Sequence, residues 1–243
     1  MNWEHYLLEE KAPRGWRAEL GVLEGEVGGV YDLSCLPEDV RILNLATPLK
    51  KTKLKYTNYE ALAGNETIEG ICVNDVDEEC LAVFATLPNL KYFRLRNNKQ
   101  EEIPSLACLQ SLEVLILANM TRVKDIGFIG NLDCLKTLFI CDIKNLYDLA
   151  PLSRLKRLRE LSLENGGMSG VGKPVKGLEP LSVLTELQYL HIGVTVENCN
   201  YDVVPLLALK KLEKLEKLSV LPRFLNDGQR ERMLPALPLL KGI

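Results

Sequence analysis

Few residues of this 243-residue chain have the types and spacing that catalysis or metal binding needs. The sequence holds two histidines, His5 and His191. We expect them at opposite ends of the fold, where they could share neither a metal ion nor a proton relay. His191 stands between Leu190 and Ile192, and in a strand its side chain would point away from theirs. A single histidine in that position is more often a contact residue than a general acid or base.

The cysteines and the paired acids give no better catalytic candidates. The seven cysteines are odd in number and lack paired spacing, so we expect reduced thiols. The sequence contains no Cys-x-x-Cys motif, which argues against a zinc site. Cys72 and Cys141 could be nucleophiles, but neither has a base near it in the sequence. Acid pairs such as Glu9-Glu10 are typical of solvated surfaces. We predict that the protein is not an enzyme and that it binds no cofactor and no metal.

A glycine-rich stretch at residues 164–174 invites comparison with a phosphate-binding loop. That loop requires Gly-x-x-x-x-Gly-Lys followed by Ser or Thr, whose hydroxyl binds the magnesium ion. Here Lys173 is followed by Pro174, so the stretch is predicted to be an insertion. We expect insertions at 165–177 and 194–205 to project from the same rim of the fold, because both follow strand ends.

The strands that would position these residues are predicted by one repeated sequence pattern. In it the leucines are spaced by three, at Leu155, Leu158 and Leu161, and then by two, at Leu163. A spacing of two is the period of a strand, because alternate side chains lie on the same face. The first strand position of each copy is in turn Leu43, Ile71, Phe93, Leu115, Leu138, Leu161, Leu190 and Leu218. The intervals between these positions are 28, 22, 22, 23, 23, 29 and 28 residues.

Such intervals are typical of leucine-rich repeats, in which each unit is a short strand and a return segment. Over residues 20–243 the chain resembles the leucine-rich-repeat family, and return segments such as 145–152 resemble the bacterial internalin type. The resemblance implies an α/β fold, a leucine-rich-repeat solenoid. This is a right-handed β-α superhelix with a curved parallel sheet on its concave face and short helices or 3-10 turns on its convex face. The resemblance also implies protein recognition as the activity.

Polar residues near the strand ends depart from the internalin pattern. That type usually carries asparagine three residues after the second strand leucine, and here only Asn98 matches. Four polar residues stand one position earlier, namely Asn97, Asn119, Asp142 and Asn165. We expect their side chains to cap backbone amides at the strand ends.

We predict one elongated domain with two parts, a capping segment at 1–19 and a leucine-rich-repeat domain at 20–243. The second part would hold eight or nine repeats, the last of them truncated. Trp3, Tyr6 and Leu7 give the first part an amphipathic pattern. We expect this part to cover the open end of the coil, because an uncovered end exposes a strand edge and core leucines.

Two repeats are predicted to differ from the others. Leu20 and Val22 lie 23 residues before Leu43 and Leu45, so they are expected to begin an irregular first repeat. Residues 76–86 are predicted to form a helical return on the convex face.

The composition limits the partners. A net charge of −3 and an isoelectric point near 5.6 give no electrostatic reason to expect nucleic acid. No apolar run reaches the roughly 18 residues that a transmembrane helix needs. The first ten residues carry acids where a signal peptide has a basic and then an apolar run. We therefore expect a cytoplasmic protein that binds neither nucleic acid nor membrane and is a monomer when free.

The predicted sheet also predicts a binding surface, because residues between the core positions of each strand face outward. Around Ile116 and Phe139 this surface has an apolar centre, and its flanks carry aromatic and charged residues. Protein interfaces have this composition. The predicted partner-binding residues are Tyr92, Arg94, Arg96, Val114, Ile116, Phe139, Cys141, Ser162, Glu164, Tyr189 and His191. We expect them to be exposed, so that their replacement would barely affect folding.

The first functional hypothesis is therefore a non-catalytic module that binds a protein partner through its concave face. In one form of this hypothesis it is an inhibitor or immunity-type protein that occludes a partner enzyme. The alternative is a regulator that stimulates a partner enzyme, as some repeat proteins do for small GTPases. A third hypothesis, a bacterial repeat-containing ligase or effector, needs a catalytic domain with a nucleophilic cysteine, and the repeats leave no room for one.

If the thiols are reduced, titration of the denatured, unreduced protein with a thiol reagent should detect all seven cysteines. Recovery of fewer thiols would show that the chain contains disulfides and would contradict the predicted compartment.

Overall fold

The computed structural model describes residues 3–4, 6–7, 22–24, 29–46, 55–165, 172–197, 205–225, 231 and 234–241. These residues form the strands β1 (Val22–Glu24), β2 (Val30–Asp32), β3 (Ile42–Asn44), β4 (Lys55–Thr57), β5 (Gly70–Val73), β6 (Tyr92–Arg96), β7 (Val114–Ala118), β8 (Thr137–Cys141), β9 (Glu160–Glu164), β10 (Tyr189–Gly193) and β11 (Lys217–Val220). They also form the helix α1 (Glu78–Phe84). The 3-10 helices lie at Leu33–Cys35, Tyr59–Leu62, Leu106–Cys108, Gly127–Ile129, Ala150–Arg154, Glu179–Val183, Pro205–Lys211, Pro222–Leu225 and Leu234–Ala236.

One parallel sheet of nine strands organises the fold, in the order β1-β3-β5-β6-β7-β8-β9-β10-β11. The first strand positions of successive repeats stand opposite one another, from the pair of Leu43 and Ile71 to the pair of Leu190 and Leu218. Neighbouring parallel strands need a crossover between them, so each repeat contributes one strand and one return. The predicted repeats and their register are confirmed from β3 to β11, including the three long intervals.

A leucine core fills the space between the sheet and the return segments. Leu155, Leu158, Leu161 and Leu163 are all buried, and the equivalent residues of the neighbouring repeats are buried beside them. A single repeat cannot enclose its own apolar face, so the repeats are stable only when stacked. Burying each of these side chains contributes about 1.5–3 kcal/mol. The leucines predicted as core are therefore core.

The predicted helical return at 76–86 is confirmed by α1. Asp77 caps its first turn, since the side-chain Oδ1 accepts a hydrogen bond from the backbone N–H of Cys80 at 2.8 Å. Leu81 and Phe84 bury the inner face of the helix against the leucine core. No helix in the described ranges is long and apolar enough to cross a bilayer.

The polar residues after the strands have a conformational role. Asn97, Asn119 and Asp142 have φ angles of 54°, 55° and 55°, in the left-handed region that asparagine and aspartate tolerate better than most residues. In this conformation their backbone N–H groups continue the sheet. For example, Asn119 donates to the carbonyl of Cys141 at 2.8 Å. The side-chain bonds differ from the prediction. Asn119 Nδ2 donates to Oδ1 of Asn97 at 2.7 Å, and Asn165 Nδ2 donates to the carbonyl of Ile143 at 3.3 Å, so the prediction that these side chains cap backbone amides is wrong.

Asn98 joins two repeats through its buried side chain. Its Nδ2 donates to the carbonyl of Asn74 at 2.7 Å, and its Oδ1 accepts from the backbone N–H of Gln100 at 2.9 Å. Gln100 extends the link, because its side chain bonds both the N–H and the carbonyl of Val76. The chain after β6 is therefore tied to the chain after β5.

The predicted first repeat is wrong in its register. Leu23 of β1, not Leu20, stands opposite Leu43, so the interval is 20 residues and not 23. The first returns also differ from the rest, because β2 and β4 pair in a second, two-stranded parallel sheet. The leucine spacing predicts the length of returns that consist of turns. It does not predict the length of a return that contains a paired strand, as the first returns do. The boundary between residues 19 and 20 lies outside the described residues and stays a prediction.

Asn98→Ala should lower the free energy of unfolding by about 2–3 kcal/mol, because it removes a buried side chain and its part-buried hydrogen bonds with the carbonyl of Asn74 and the N–H of Gln100. Urea denaturation measures this change. Asn89→Ala is the matched control. Asn89 is exposed and donates to the carbonyl of Glu66 at 2.7 Å, so its loss should cost less than about 1 kcal/mol. Equal losses for the two variants would contradict the role of Asn98 as a link.

Candidate functional site

The outward rows of the sheet form a second apolar cluster. One row runs across the strands through Arg94, Ile116, Phe139 and Ser162, which are neighbours in register. This confirms the predicted orientation of these residues. Their predicted exposure is wrong, however, because Ile116 is 1%, Phe139 3% and Arg94 4% exposed.

The N-terminal segment, defined here as Trp3, Glu4, Tyr6 and Leu7, covers this cluster. Trp3, Tyr6 and Leu7 are buried and belong to the same cluster as Ile116 and Phe139. The prediction that they cover the open end of the coil is therefore wrong. The three residues do bury apolar surface, as their pattern indicates. They bury it on the concave face, because apolar side chains of the outward cluster are there to pack against.

Tyr92 is the residue on which the aromatic part of the segment packs. The rings of Trp3 and Tyr92 are stacked, with centroids 5.4 Å apart and planes inclined by 25°. Tyr6 packs beside them, with its ring centroid 6.0 Å from that of Tyr92. Burial raises the pKa of the Tyr6 phenol to about 12, so the ring stays neutral at physiological pH. Aromatic pairs of this kind add about 0.5–1.5 kcal/mol to the effect of burial.

Glu160 fixes the backbone of the segment. Its side chain is 1% exposed, and its Oε2 accepts hydrogen bonds from the backbone N–H of Leu7 at 2.8 Å and from the hydroxyl of Thr137 at 2.7 Å. A buried carboxylate is stable only when such donors replace its water. On this face Glu160 is therefore a built acceptor for a backbone N–H group.

A row of charges borders the face just before the strands begin. Lys136 Nζ lies 2.8 Å from a carboxylate oxygen of Glu113, and Lys91 Nζ lies 3.0 Å from the other. Burial alone would raise the pKa of Glu113, but the hydrogen bonds from Lys136 and Lys91 outweigh it and lower the pKa. The hydrogen bond to Glu113 likewise raises the pKa of Lys136. Glu4 lies over this row, 3.4 Å from Lys136 and 3.7 Å from Arg159.

The segment forms a turn, with contacts on two sides. Trp3 and Tyr6 contact Tyr92 of β6, whereas Glu4 and Leu7 contact groups at the start of β8 and β9. Residues three positions apart lie on the same side of a helical turn, which explains the two pairs. The sequence pattern therefore indicated the right amphipathic spacing but assigned the wrong surface.

Seven of the eleven predicted site residues are buried, and Arg96, Glu164, Tyr189 and His191 are half-buried. His191 Nδ1 lies 3.0 Å from Oγ of Ser219, its neighbour in register on β11. Burial lowers the pKa of the His191 imidazole. The accessible part of the predicted site is thus its margin, at the ends of β6 and β9 and on β10, and its centre lies under the segment.

The predicted catalytic candidates have unreactive surroundings. Burial raises the pKa of the Cys141 thiol to about 12, with further contributions from the nearby charges of Asp142 and Glu164, so the thiol is protonated at neutral pH. The Cys72 thiol is buried. Among the residues that the structure describes, no cluster of three or more His, Cys, Asp or Glu could hold a metal ion.

Two sequence predictions fall partly outside the described residues. His5 is one of them, so its placement at the opposite end of the fold from His191 stays a prediction. The glycine-rich residues 166–171 and residues 198–204 of the second insertion are also undescribed. The described parts of the two insertions are neighbours, since Val175 pairs with Val196, as the shared rim predicts.

Several residues of the site were not predicted from the sequence. Trp3, Tyr6 and Leu7 were singled out but placed elsewhere. Glu160 and Lys136 were missed as contacts of the segment. Two sequence features together could have identified them. The concave face was predicted to have an apolar centre, and the amphipathic N-terminal segment needed an apolar surface to cover.

Trp3→Ala should lower the free energy of unfolding by about 2–3 kcal/mol, because it removes a large buried side chain from the stack on Tyr92. Phe139→Ala should also destabilise the protein, because Phe139 is buried under the segment. Urea denaturation measures both changes. Tyr147→Ala is the control, since Tyr147 is 42% exposed. An effect of Trp3→Ala no larger than that of Tyr147→Ala would contradict the burial of Trp3.

Comparisons with known proteins agree with this fold. No family model and no curated protein matches the sequence. Among solved structures, internalin C2 of Listeria monocytogenes strain 4b F2365 superposes with a TM-score of 0.52 at 18% identity, over 85% of this chain and 76% of that one. A leucine-rich-repeat protein of Leptospira interrogans matches with a TM-score of 0.45 at 18% identity, over 84% of this chain and 54% of that one. Identities this low show only a shared fold. The register of the repeats, the parallel sheet and this likeness together show a leucine-rich-repeat solenoid that is similar in fold to internalin C2.

Proposed function

We propose that this protein is a non-catalytic protein-interaction module whose concave face binds a segment of a protein partner. One observation carries the proposal: the face already holds a polypeptide segment, through an aromatic stack, a backbone hydrogen bond and ion pairs. Trp3 stacks on Tyr92, the backbone of Leu7 donates to the buried Glu160, and Glu4 lies between two cations. A face with these groups in place can hold another segment of similar chemistry.

The arrangement of the face supports this role. Its centre is dry and aromatic, as the strongest contacts of protein interfaces are, and its border is charged. The exposed ion pairs at the border contribute little energy each, about 0–1 kcal/mol, but they fix the orientation of a bound segment. Affinity would come from the centre and orientation from the border.

The absence of catalysis is part of the same proposal. Cys141 is held as a neutral thiol, and the hydrogen bond between His191 and Ser219 follows from their register on neighbouring strands. Neither arrangement requires a reaction to explain it.

The finer role that we propose is inhibition of a partner enzyme by occlusion. A rigid sheet that covers a partner acts by excluding its substrate and requires no chemistry of its own. Adding the protein to the purified partner enzyme should therefore lower the activity of that enzyme. Stimulation would instead support the role of a regulator.

The proposal is tested by capture from a native cytosolic extract, identification of the captured protein, and direct measurement of its affinity. The double variant Arg96→Glu with Glu164→Lys changes two half-buried residues of the concave face without changing the net charge. We expect it to bind the purified partner at least tenfold more weakly, because both charges at the margin of the face are reversed.

The matched control is Arg154→Glu with Glu179→Lys, which makes the same charge changes at exposed residues of the return segments. It should bind like the wild type. A partner whose affinity is unchanged by the first variant, or is lowered equally by the second, would refute binding through the concave face.

A further inference from the structure

The concave face is closed by a part of the same chain. The segment that closes it lies next to the N-terminus, and residues 8–21 connect it to β1. Tyr92, Ile116 and Phe139 are thereby removed from solvent. A partner that binds the centre of this face has to replace the segment.

We propose that the N-terminal segment is a displaceable intramolecular ligand, and that the partner binds through a segment of the same chemistry. That chemistry is an aromatic residue, an acid, any residue, a second aromatic residue and an aliphatic residue, in the order of Trp3, Glu4, position 5, Tyr6 and Leu7. This inference rests on the proposed function and names the partner segment and the regulation of the same site.

The two aromatic residues, the acid and the aliphatic residue each contact a group on the face. The first aromatic ring stacks on Tyr92, and the acid lies between Lys136 and Arg159. The N–H group of the aliphatic residue donates to Glu160. Since this last contact uses the backbone, it constrains the path of the segment and not the identity of the side chain.

The segment can leave without unfolding the repeats, because the two apolar clusters are separate. The leucine core lies on one side of the sheet, and the cluster that contains Trp3, Tyr6 and Leu7 lies on the other. Loss of the segment therefore exposes the outward cluster and leaves the leucine core enclosed.

The segment is also an imperfect ligand. The indole N–H of Trp3 is buried and has no acceptor among the described residues. A partner that supplies an acceptor for the indole would bind the same face better.

The covalent connection through residues 8–21 explains how an imperfect ligand still closes the face. Because the segment belongs to the same chain, it binds intramolecularly, with an effective concentration that a free partner has to exceed. From β1 to β9 the sheet has six strand spacings, or roughly 29 Å, and residues 8–21 can span up to roughly 50 Å. The segment thus reaches the face of its own chain, and a second copy is not required.

The test uses a synthetic peptide of residues 1–10 with a fluorescent label, and fluorescence anisotropy. The full-length double variant Trp3→Ala with Tyr6→Ala should bind the peptide at least tenfold more tightly than the wild type, because its own segment no longer competes. A control peptide with the same two substitutions should bind the variant at least tenfold more weakly than the unchanged peptide. Equal binding by variant and wild type, or no binding by a variant with intact circular dichroism, would overturn the inference.

A milder variant keeps the test decisive if the double variant does not fold. Glu4→Lys changes only a half-exposed side chain and reverses its interaction with Lys136 and Arg159. The affinity of this variant for the labelled peptide should be about threefold or more higher than that of the wild type. Unchanged affinity for the peptide would refute competition by the segment.

Two further outcomes separate this inference from the proposed function. A partner that is sensitive to Arg96→Glu with Glu164→Lys, but binds the wild type and the Trp3→Ala, Tyr6→Ala variant equally, would support the function and overturn the inference. A wild-type dimer that becomes a monomer in the Trp3→Ala, Tyr6→Ala variant would show that the segment binds a second copy. That result would overturn the intramolecular assignment.

Discussion

A parallel sheet with two apolar faces has to be covered twice, and the rest of this structure depends on that constraint. Stacked repeats cover one face, because their return segments enclose the leucine core. The other face carries a second apolar cluster, which extends from Ile42 on β3 to Phe139 on β8. The N-terminal segment covers this cluster. The sheet is thus a layer between two hydrophobic clusters of different origin.

The two clusters differ in the free energy that is needed to open them. The leucine core is built from every repeat, so removing any part of it affects the stacking of the neighbours. The outward cluster is completed by a few residues next to the N-terminus, among them Trp3 and Tyr6. Regions with a small share of the buried surface open at a lower free energy than the whole protein does. This difference is the physical basis for a face that is closed in the free protein and available to a partner.

Polar groups decide what may cover the face. An apolar patch alone would accept many side chains, but the buried carboxylate of Glu160 requires a donor, and the cations at Lys136 and Arg159 favour an acid beside it. Such groups penalise occupants that lack the matching partner, which is how specificity is obtained. The chain's own segment satisfies these groups and shows what the face selects.

The leucine spacing alone determined the repeats, the register from β3 to β11 and which residues point outward, because a period of two places alternate side chains on opposite faces. The amphipathic pattern of the first residues identified Trp3, Tyr6 and Leu7 as a segment that needs an apolar surface. The leucine spacing could not determine the position of Leu23 in the first repeat, because the pairing of β2 with β4 changes the return. Only the tertiary structure decided that Phe139 and Arg94 are buried. Spacing gives the positions of residues within a repeat. The hydrogen bond between Leu7 and Glu160 joins residues that are distant in sequence, and the free energy of this contact depends on the whole assembled face.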